Sequence, residues 1–557
     1  MKRDLTQLSS KTYDVLIVGG GIYGATAAWD ATLRGLSVAL VEKGDFGSAT
    51  SSNSLKIVHG GLRYLQNADF KRMRESIRER RIMMQIAPHL VHPLPCVMPT
   101  YGYSIKSKEA MWIAMLLNDL ISFDRNRLSD PQKHLPRGKI ISKQECQQII
   151  PGVEEKKLTG GAIWYDAQMY NSERLTLSFV LSAAEAGADV ANYVKVTGFL
   201  MDDYRVMGVR AKDVLTGDGL EIRAKIVLNT GGPWAEQVLE SLNSRRNHRV
   251  LWSSAMNLVT RQLIPKYALG LPGKPRLKAG KGITKKSSQL YFIAPWRNYS
   301  LIGTVHAPYY GSPDEYGVTE EQIQTFIDEI NAAYPAANLK REDVYFFYGG
   351  LLPMAKVNKH TGEVKLLKHY RINDHKKQDG IEGLVSVIGV KYTTARDVSE
   401  KAINLVFKKL GKEPPQSMSA MTPVYGGDIE YFEEFLTQEI RRRANEFSPE
   451  IVQHLVYNYG SKYSEILKYL KNDRKWGDRV SDRYPVIKAE ILYGIKEEMA
   501  QKLTDVLLRR TELGSAGNPG NECLKVCATI MAKELGWDAI RIQRELEEAK
   551  AVYFPKS

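Results

Sequence analysis

The chain has 557 residues, with 78 Lys+Arg against 63 Asp+Glu for a net charge of +15, and four cysteines. At roughly 100–200 residues per domain this length holds two to four domains, which excludes a small disulfide-stapled or metal-clipped fold. A content of 43% hydrophobic and 25% charged residues excludes a disordered or fibrous chain, and the positive balance favours anionic partners.

Met1 to Lys11 is polar and lacks the apolar core of a secretory signal. From Tyr13 the pattern reads strand (Asp14 to Val18), tight turn (Gly19-Gly20-Gly21-Ile22-Tyr23-Gly24), helix (Ala25 to Arg34) and strand (Ser37 to Val41), closed by Glu42. This is a βαβ unit carrying G-x-G-x-x-G at Gly19, Gly21 and Gly24, with an acid at the end of the second strand. The glycines let backbone approach a pyrophosphate, the helix N-terminus offers free N–H groups, and Glu42 can accept from a ribose hydroxyl. An acid there disfavours a 2′-phosphate, so FAD or NAD fits better than NADP.

The next loop, Thr50-Ser51-Ser52-Asn53-Ser54, runs through Lys56-Ile57-Val58 to His59-Gly60-Gly61-Leu62-Arg63-Tyr64. It follows the second strand and so lies at the carboxyl edge of the sheet, where open α/β sheets bind ligands. The basic run Lys71 to Arg81 reads as a solvated helix face or, alternatively, a phospholipid contact, and Arg245 to Arg249 carries the same ambiguity. The longest apolar stretch, Ala110 to Phe123, is interrupted by Asn118 and Asp119 and falls short of the ~20 residues of a spanning helix, so membrane contact is peripheral.

Ala188 to Val196 and Lys225 to Asn229 read as strands, the second entering Asn229-Thr230-Gly231-Gly232-Pro233-Trp234. Tyr291 to Ile302 and Tyr345 to Leu352 look like strands of an inserted sheet, and Gly383 to Ile388 returns to the first sheet before Gly389-Val390-Lys391-Tyr392-Thr393-Thr394. Beyond about residue 410 the periodicity turns helical, over Asp428 to Asn445, Pro449 to Tyr459, Ser464 to Leu470, Val486 to Arg509 and Glu522 to Tyr553. Cys523 and Cys527 lie one helical turn apart without further ligand types, which reads as buried structural thiols, and no metal site is expected. The four cysteines are too scattered for a disulfide framework and suit a reducing compartment. No zinc-finger or RNA-recognition signature supports a nucleic-acid reading.

The glycine loop, Ser51-Ser52 leading to His59-Gly60-Gly61-Leu62-Arg63-Tyr64-Leu65, Glu79-Arg80-Arg81 to Ala87-Pro88-His89-Leu90, Asn229 to Ala235 and Lys391-Tyr392-Thr393-Thr394-Ala395-Arg396 resemble the FAD-dependent glycerol-3-phosphate dehydrogenases. Glu490 to Arg510, ending Asp505-Val506-Leu507-Leu508-Arg509-Arg510, is similar to that family's helical C-terminal domain. The fold implied is α/β. A discontinuous Rossmann-like FAD-binding domain (about 12–75, 155–250 and 380–410) carries an inserted mixed-sheet substrate domain (about 76–154 and 251–379), together spanning 1–410, and an all-helical C-terminal domain covers 411–557.

The resemblance implies oxidation of the C2 hydroxyl of glycerol 3-phosphate to dihydroxyacetone phosphate. Electrons pass to a quinone, in an enzyme that is cytoplasmic and peripheral at the inner face of the cell membrane, with a homodimer as candidate assembly. His59 is the candidate base, with Arg63 and Lys391 as catalytic cations. Arg63 and Tyr64 face the substrate, and His306 and Lys368 are candidates to rebuild its anion site with Arg63. For FAD, held non-covalently, the resemblance implies contacts from Gly19, Gly21, Gly24, Glu42, Lys43, Thr50, Ser51, Ser52 and Ser54. It adds His59, Gly60, Val196, Gly231, Trp234, Gly389, Lys391, Tyr392 and Thr393.

The chain also departs from the family. Gly350-Leu351-Leu352-Pro353 stands where relatives carry G-V-R-P with a phosphate-gripping arginine. Gly303-Thr304-Val305-His306 replaces G-T-T-D, and Lys368-His369-Tyr370 replaces an arginine element. Lysine holds phosphate as a point charge without bidentate geometry. Two other readings therefore stand beside the first: an FAD-dependent dehydrogenase or oxidase of another polyol or hydroxy acid, and a flavin-binding protein without turnover. Retention of His59, Arg63 and Lys391 argues against the last.

Overall fold

The computed structural model describes residues 1–102, 108–242, 250–273, 290–358 and 363–556; the basic run Arg245 to Arg249 lies outside them. From Val15 to Val18 the strand Thr12–Val18 is apolar and buried on both faces, as a central parallel strand requires. It pairs in parallel with Val38–Val41 on one side and Gly219–Asn229 on the other, in register Val18↔Val41 and Val18↔Asn229. The Gly19 and Thr230 turns therefore leave the same carboxyl edge side by side. Leu384–Ile388 extends the sheet next to Gly219–Asn229, and Asp189–Ala191 extends it next to Val38–Val41.

A second sheet is mostly antiparallel, with one parallel pair between Ala268–Pro272 and Val91–Tyr101. Among the described residues it has ten strands to the first sheet's eight. Helix Glu320–Ala333, held by a Thr319/Gln322 capping box, lays Ile323, Phe326, Ile327 and Ile330 into its core. Beyond Gly411 the chain is helical, and its helices Pro449–Tyr459, Lys488–Lys496 and Asn521–Leu535 pack around two further apolar cores.

Several sequence-based boundaries change. The helix after the glycine turn begins at Ile22 with Gly21 as N-cap, a turn earlier than the apolar pattern suggests. Ala188 to Val196 is two strands, Asp189–Ala191 and Val194–Asp202, because Tyr193 turns the chain at φ 57° and leaves the parallel sheet. Tyr291 to Ile302 is a hairpin of Leu290–Trp296 and Tyr299–Tyr309, with Arg297 at φ 53° in the turn. Val486 to Arg509 is interrupted after Lys496, where Met499 has φ 60°, and resumes as Leu503–Asp505 and a π-helical turn Val506–Arg510.

The sheet membership also differs from the predicted partition. Leu158–Met169, assigned from sequence to the nucleotide domain, pairs with Val91–Tyr101 in the second sheet. Arg371–Asp374, assigned to the insertion, pairs antiparallel with Leu384–Ile388 in the first. Periodicity reports which residues of a strand are buried but not which strand it pairs with.

Candidate active site

The glycine turn is a cradle that only glycine fills. A Cβ on Gly24 would sit 1.8 Å from the Gly19 carbonyl oxygen, and one on Gly19, at φ +105°, would sit 2.7 Å from the Thr230 carbonyl oxygen. Gly21 offers no side-chain cap to the helix behind it, leaving its N-terminus as an anion site, with Ser51 Oγ accepting from Ile22 N at 2.9 Å. Both Glu42 oxygens accept backbone amides, from Gly20 at 2.7 Å and Gly44 at 2.9 Å, and burial raises its carboxyl above the ordinary range. A carboxylate so held keeps lone pairs for a further donor.

Beside it, Lys43 Nζ lies 4.0 Å from the Trp234 ring centroid and 2.6 Å from Asp314, and Trp234 Nε1 donates to the same Asp314 oxygen at 2.8 Å. Asp314 sits in the Pro313–Glu315 turn after a second-sheet strand, so the second sheet reaches across to the nucleotide edge. Val196 lies half-buried on the strand Val194–Asp202, and Gly231 N donates to Asn229 Oδ1 at 3.0 Å. Partly exposed ion pairs contribute about 0.2–1 kcal/mol; Asp314→Ala should therefore speed release of bound cofactor about threefold, read by fluorescence after dilution, and an unchanged rate would detach this clamp from retention.

The hydroxyls of the following loop shape it. Thr50 Oγ1 donates to the Leu351 carbonyl at 3.1 Å, Ser52 Oγ to that of Ala49 at 3.3 Å, and Ser54 Oγ accepts from Lys56 N at 3.2 Å. Gly60 N donates to Asp166 Oδ1 at 2.5 Å, and Arg80 Nη1 reaches the same oxygen at 2.8 Å. A Cβ on Gly60 would lie 2.3 Å from that guanidinium.

These contacts aim His59, Tyr64 and Lys391 at one another. The His59 and Tyr64 rings meet edge-on at 5.9 Å, and the Tyr64 ring lies between Lys391 Nζ at 4.2 Å and the Arg72 guanidinium at 4.4 Å. His59 Nδ1 is buried without a hydrogen-bond partner. Burial, then the Lys391 charge, pushes His59 down to about 4, so it is neutral near pH 7. Burial, then Arg72, pushes Lys391 down to about 8. Tyr23 holds the Lys391 backbone: its hydroxyl donates to Lys391 O at 2.7 Å and accepts from the amides of Val390 and Lys391. Its ring occupies the space a Cβ on Gly389 would need, at 2.1 Å.

His306 lies on the second-sheet strand Tyr299–Tyr309. Burial, then the charge of Arg63, pushes His306 down to about 4, and its Nδ1 is also buried without a partner. Arg63 and Lys368 are exposed, and the Lys368 carbonyl accepts from Arg72 Nη1 at 2.7 Å. Tyr392 turns inward, its hydroxyl shared between Thr176 Oγ1 at 2.9 Å and the Ser172 carbonyl at 3.0 Å; Thr393 is buried. Tyr23, Arg72, Asp166 and Asp314 were not singled out from the sequence. Tyr23 occupies a variable position of the glycine motif, and the other three act through partners distant along the chain.

Residues 14–383 match the FAD dependent oxidoreductase family, and residues 417–542 match the C-terminal domain of alpha-glycerophosphate oxidase. The chain is 32% identical to glycerol-3-phosphate dehydrogenase of Synechocystis sp., over 98% of this chain and 97% of that one. The chain belongs to the FAD-dependent glycerol-3-phosphate dehydrogenase family. It is 30% identical to the mitochondrial glycerol-3-phosphate dehydrogenase of Macaca fascicularis, over 98% of this chain and 74% of that one. The structure of glycerol-3-phosphate dehydrogenase from Bacillus halodurans complexed with FAD superposes with a TM-score of 0.76 at 25% identity, covering 99% of this chain and 96% of that one.

The family's cofactor is FAD, and the residues present fit it: the glycine cradle and open helix N-terminus suit a pyrophosphate, Glu42 suits a ribose, and the His59 nitrogen is left without a protein partner. The chain is thus an FAD-dependent oxidoreductase with the family's two-sheet core and helical C-terminal domain. Leu352 is half-buried and pairs in register with Ser253.

Proposed function

We propose that this enzyme oxidises the C2 hydroxyl of sn-glycerol 3-phosphate to dihydroxyacetone phosphate and passes the electrons to a quinone, working as a peripheral protein at the inner face of the cell membrane. The observation that carries the proposal is a neutral imidazole whose buried Nδ1 has no partner: His59 beside Lys391, with Arg80 and Asp166 near it and Arg72 on the neighbouring Tyr64 ring. Bound FAD supplies the two-electron acceptor. His59 accepts the proton of the substrate hydroxyl, which a neutral ring can do and an imidazolium cannot. Lys391 and Arg63 stabilise negative charge that develops as the proton leaves. Tyr64, fixed between two cations, walls the reacting carbon.

The phosphate needs cationic partners, since an unpaired buried dianion is prohibitively unfavourable. With Leu352 unable to serve, Arg63, whose charge reaches His306, and Lys368 carry that role. Lys368→Ala should raise KM for glycerol 3-phosphate about tenfold or more while barely changing that for glycerol, a loss confined to phosphate binding. Leu352→Arg should lower the first constant. Steady-state kinetics with both substrates test this pair.

The deciding experiment for the whole proposal is anaerobic flavin bleaching with glycerol 3-phosphate, glycerol and several hydroxy acids. Bleaching by an unphosphorylated polyol or hydroxy acid, with glycerol 3-phosphate inert, would replace the substrate and keep the redox chemistry. Leu352 is the observation that favours that second reading.

A further inference from the structure

The helix Phe70–Ile86 carries the basic run Lys71 to Arg81, which the sequence reads as a solvated face or a phospholipid contact. The structure corrects that expectation. Arg72, Arg74, Arg78, Arg80 and Arg81 are engaged by Asp69, Asp124, Asp397 and Asp166, so the run is not a free basic face. Arg72, which no motif marks, joins two further segments of the candidate site to this helix.

The start of the helix aims its guanidinium. Asp69 caps the helix, with Oδ1 accepting from Arg72 N at 3.2 Å, while its Oδ2 accepts from Arg72 Nε at 2.6 Å. Held so, the planar group lies 4.4 Å from the centroid of the Tyr64 ring, in the turn Leu62–Asn67. Its Nη1 donates to the Lys368 carbonyl at 2.7 Å, 296 positions further along the chain. Lys391 Nζ shares the Tyr64 ring at 4.2 Å. A guanidinium can stack on a ring and donate from its edge at once, which a lysine ammonium cannot. The Arg72 side chain is only 9% exposed, so its charge is little screened.

We propose that Arg72 is a positioning residue for both lysines of the candidate site. Through the Tyr64 ring it fixes and tunes the Lys391 ammonium, and through the Lys368 carbonyl it anchors the segment that presents Lys368 to an anion. Both roles rest on the function proposed above for Lys391 and Lys368, and deepen it.

Two cations on one ring oppose each other. Burial, and then Arg72, lowers Lys391 to about 8, while Glu75 and Asp69 on the same helix start act the other way. Glu75 is shared with Lys401 at 3.7 Å, and Asp69 is held by Arg72. The remaining neighbours are uncharged near pH 7. His59 is lowered to about 4, burial pushes the Tyr64 hydroxyl up to about 12, and the Tyr23 hydroxyl is bound to the Lys391 carbonyl. A like charge disfavours the ammonium and an opposite charge favours it. Without Arg72, Lys391 therefore keeps its proton to higher pH; without the Asp69 charge it loses it earlier.

The test uses full-length, FAD-loaded protein and reads Lys391 in two ways. Trace acetylation by acetic anhydride across pH, followed by peptide mass spectrometry, titrates Lys391 without substrate; rapid-mixing flavin reduction by glycerol 3-phosphate gives the alkaline limb. Arg72→Gln should move both midpoints up by about one pH unit, and Asp69→Asn, which keeps the helix cap, should move both down. Arg72→Lys keeps the charge but not the planar fork. It should leave the midpoints near wild type and raise KM for glycerol 3-phosphate about tenfold, the scale of one charge-assisted hydrogen bond, with that for glycerol barely changed. An arginine with a merely structural role would lower rates without sending the midpoints of Arg72→Gln and Asp69→Asn in opposite directions. An acetylation midpoint unmoved in Arg72→Gln would overturn the assignment. So would a KM for glycerol 3-phosphate that neither Arg72 variant changes although Lys368→Ala raises it. Acetylation midpoints that move while the alkaline limb stays would uphold the pairing of Arg72 with Lys391 and remove Lys391 from the reaction, a failure of the proposed function alone.

Discussion

Asp45→Ala should destabilise the folded protein by about 3–5 kcal/mol, the range for breaking a buried ion pair from one side. Asp45 is fully buried in the turn after Glu42 and accepts from both Nη atoms of Arg510 at 2.7 Å, from Arg509, and from Asn192 Nδ2 at 3.0 Å. The two arginines hold its carboxyl far below the usual range despite burial. Removing it takes the shared counter-charge from two buried guanidiniums, leaving Arg509 with Asp505 and Arg510 with the Glu498 carbonyl. Because the same turn carries Glu42 and Gly44, the variant should also purify with little FAD. Asp45→Asn, which keeps one acceptor, should fall between. Urea midpoints and flavin content are the measurements, and wild-type values in Asp45→Ala would refute the tie between the C-terminal helices and the cofactor loop. The depressed carboxyl adds a pH dependence: its stabilisation is present above the unfolded value of about 3.9 and is lost as pH falls below it.

His59→Ala should slow flavin reduction by substrate about 10²-fold or more while FAD stays bound, the scale expected for a positioned base. In wild type the rate should rise as pH passes about 4, where His59 loses its proton and becomes a base. It should fall as pH passes about 8, where Lys391 loses its charge. Lys391→Arg, protonated throughout, should remove the alkaline limb, and Lys391→Ala should lower the rate and the flavin potential together. Rapid-mixing reduction across pH gives both limbs. An alkaline limb that survives in Lys391→Arg would assign it to another group, and wild-type rates in His59→Ala would move the base elsewhere.

Much of this was readable locally. The βαβ unit, its glycine turn and Glu42 lie within one short stretch, and each signal is intrinsic to its residues: glycine alone tolerates the Gly19 conformation, and a doubly buried strand must be continuously apolar. The same holds for Pro449–Tyr459, whose bounds periodicity and an N-terminal proline located to the residue. Where local signals stop, so did the reading. The π-turn Val506–Arg510 looked like ordinary helix, because nothing in Val-Leu-Leu-Arg-Arg announces that both arginines converge on a carboxylate 465 residues earlier.

Sequence by itself thus determined the nucleotide-binding topology and the helical C-terminal region, because those rest on backbone conformation and short-range pattern, whereas the His59, Arg63 and Lys391 set is what the family resemblance proposes. Only the tertiary structure decided who meets whom: Arg72 against Tyr64 and the Lys368 carbonyl, Asp314 against Lys43 and Trp234, Asp45 against Arg509 and Arg510. It also decided that the apolar residues of Lys108–Ile121 stay uncovered while the arginines of Phe70–Ile86 are neutralised. The physical reason is the same in each case. A residue's period along the chain sets which face it occupies, whereas the charge or surface opposite that face comes from segments far away in sequence, brought there by packing.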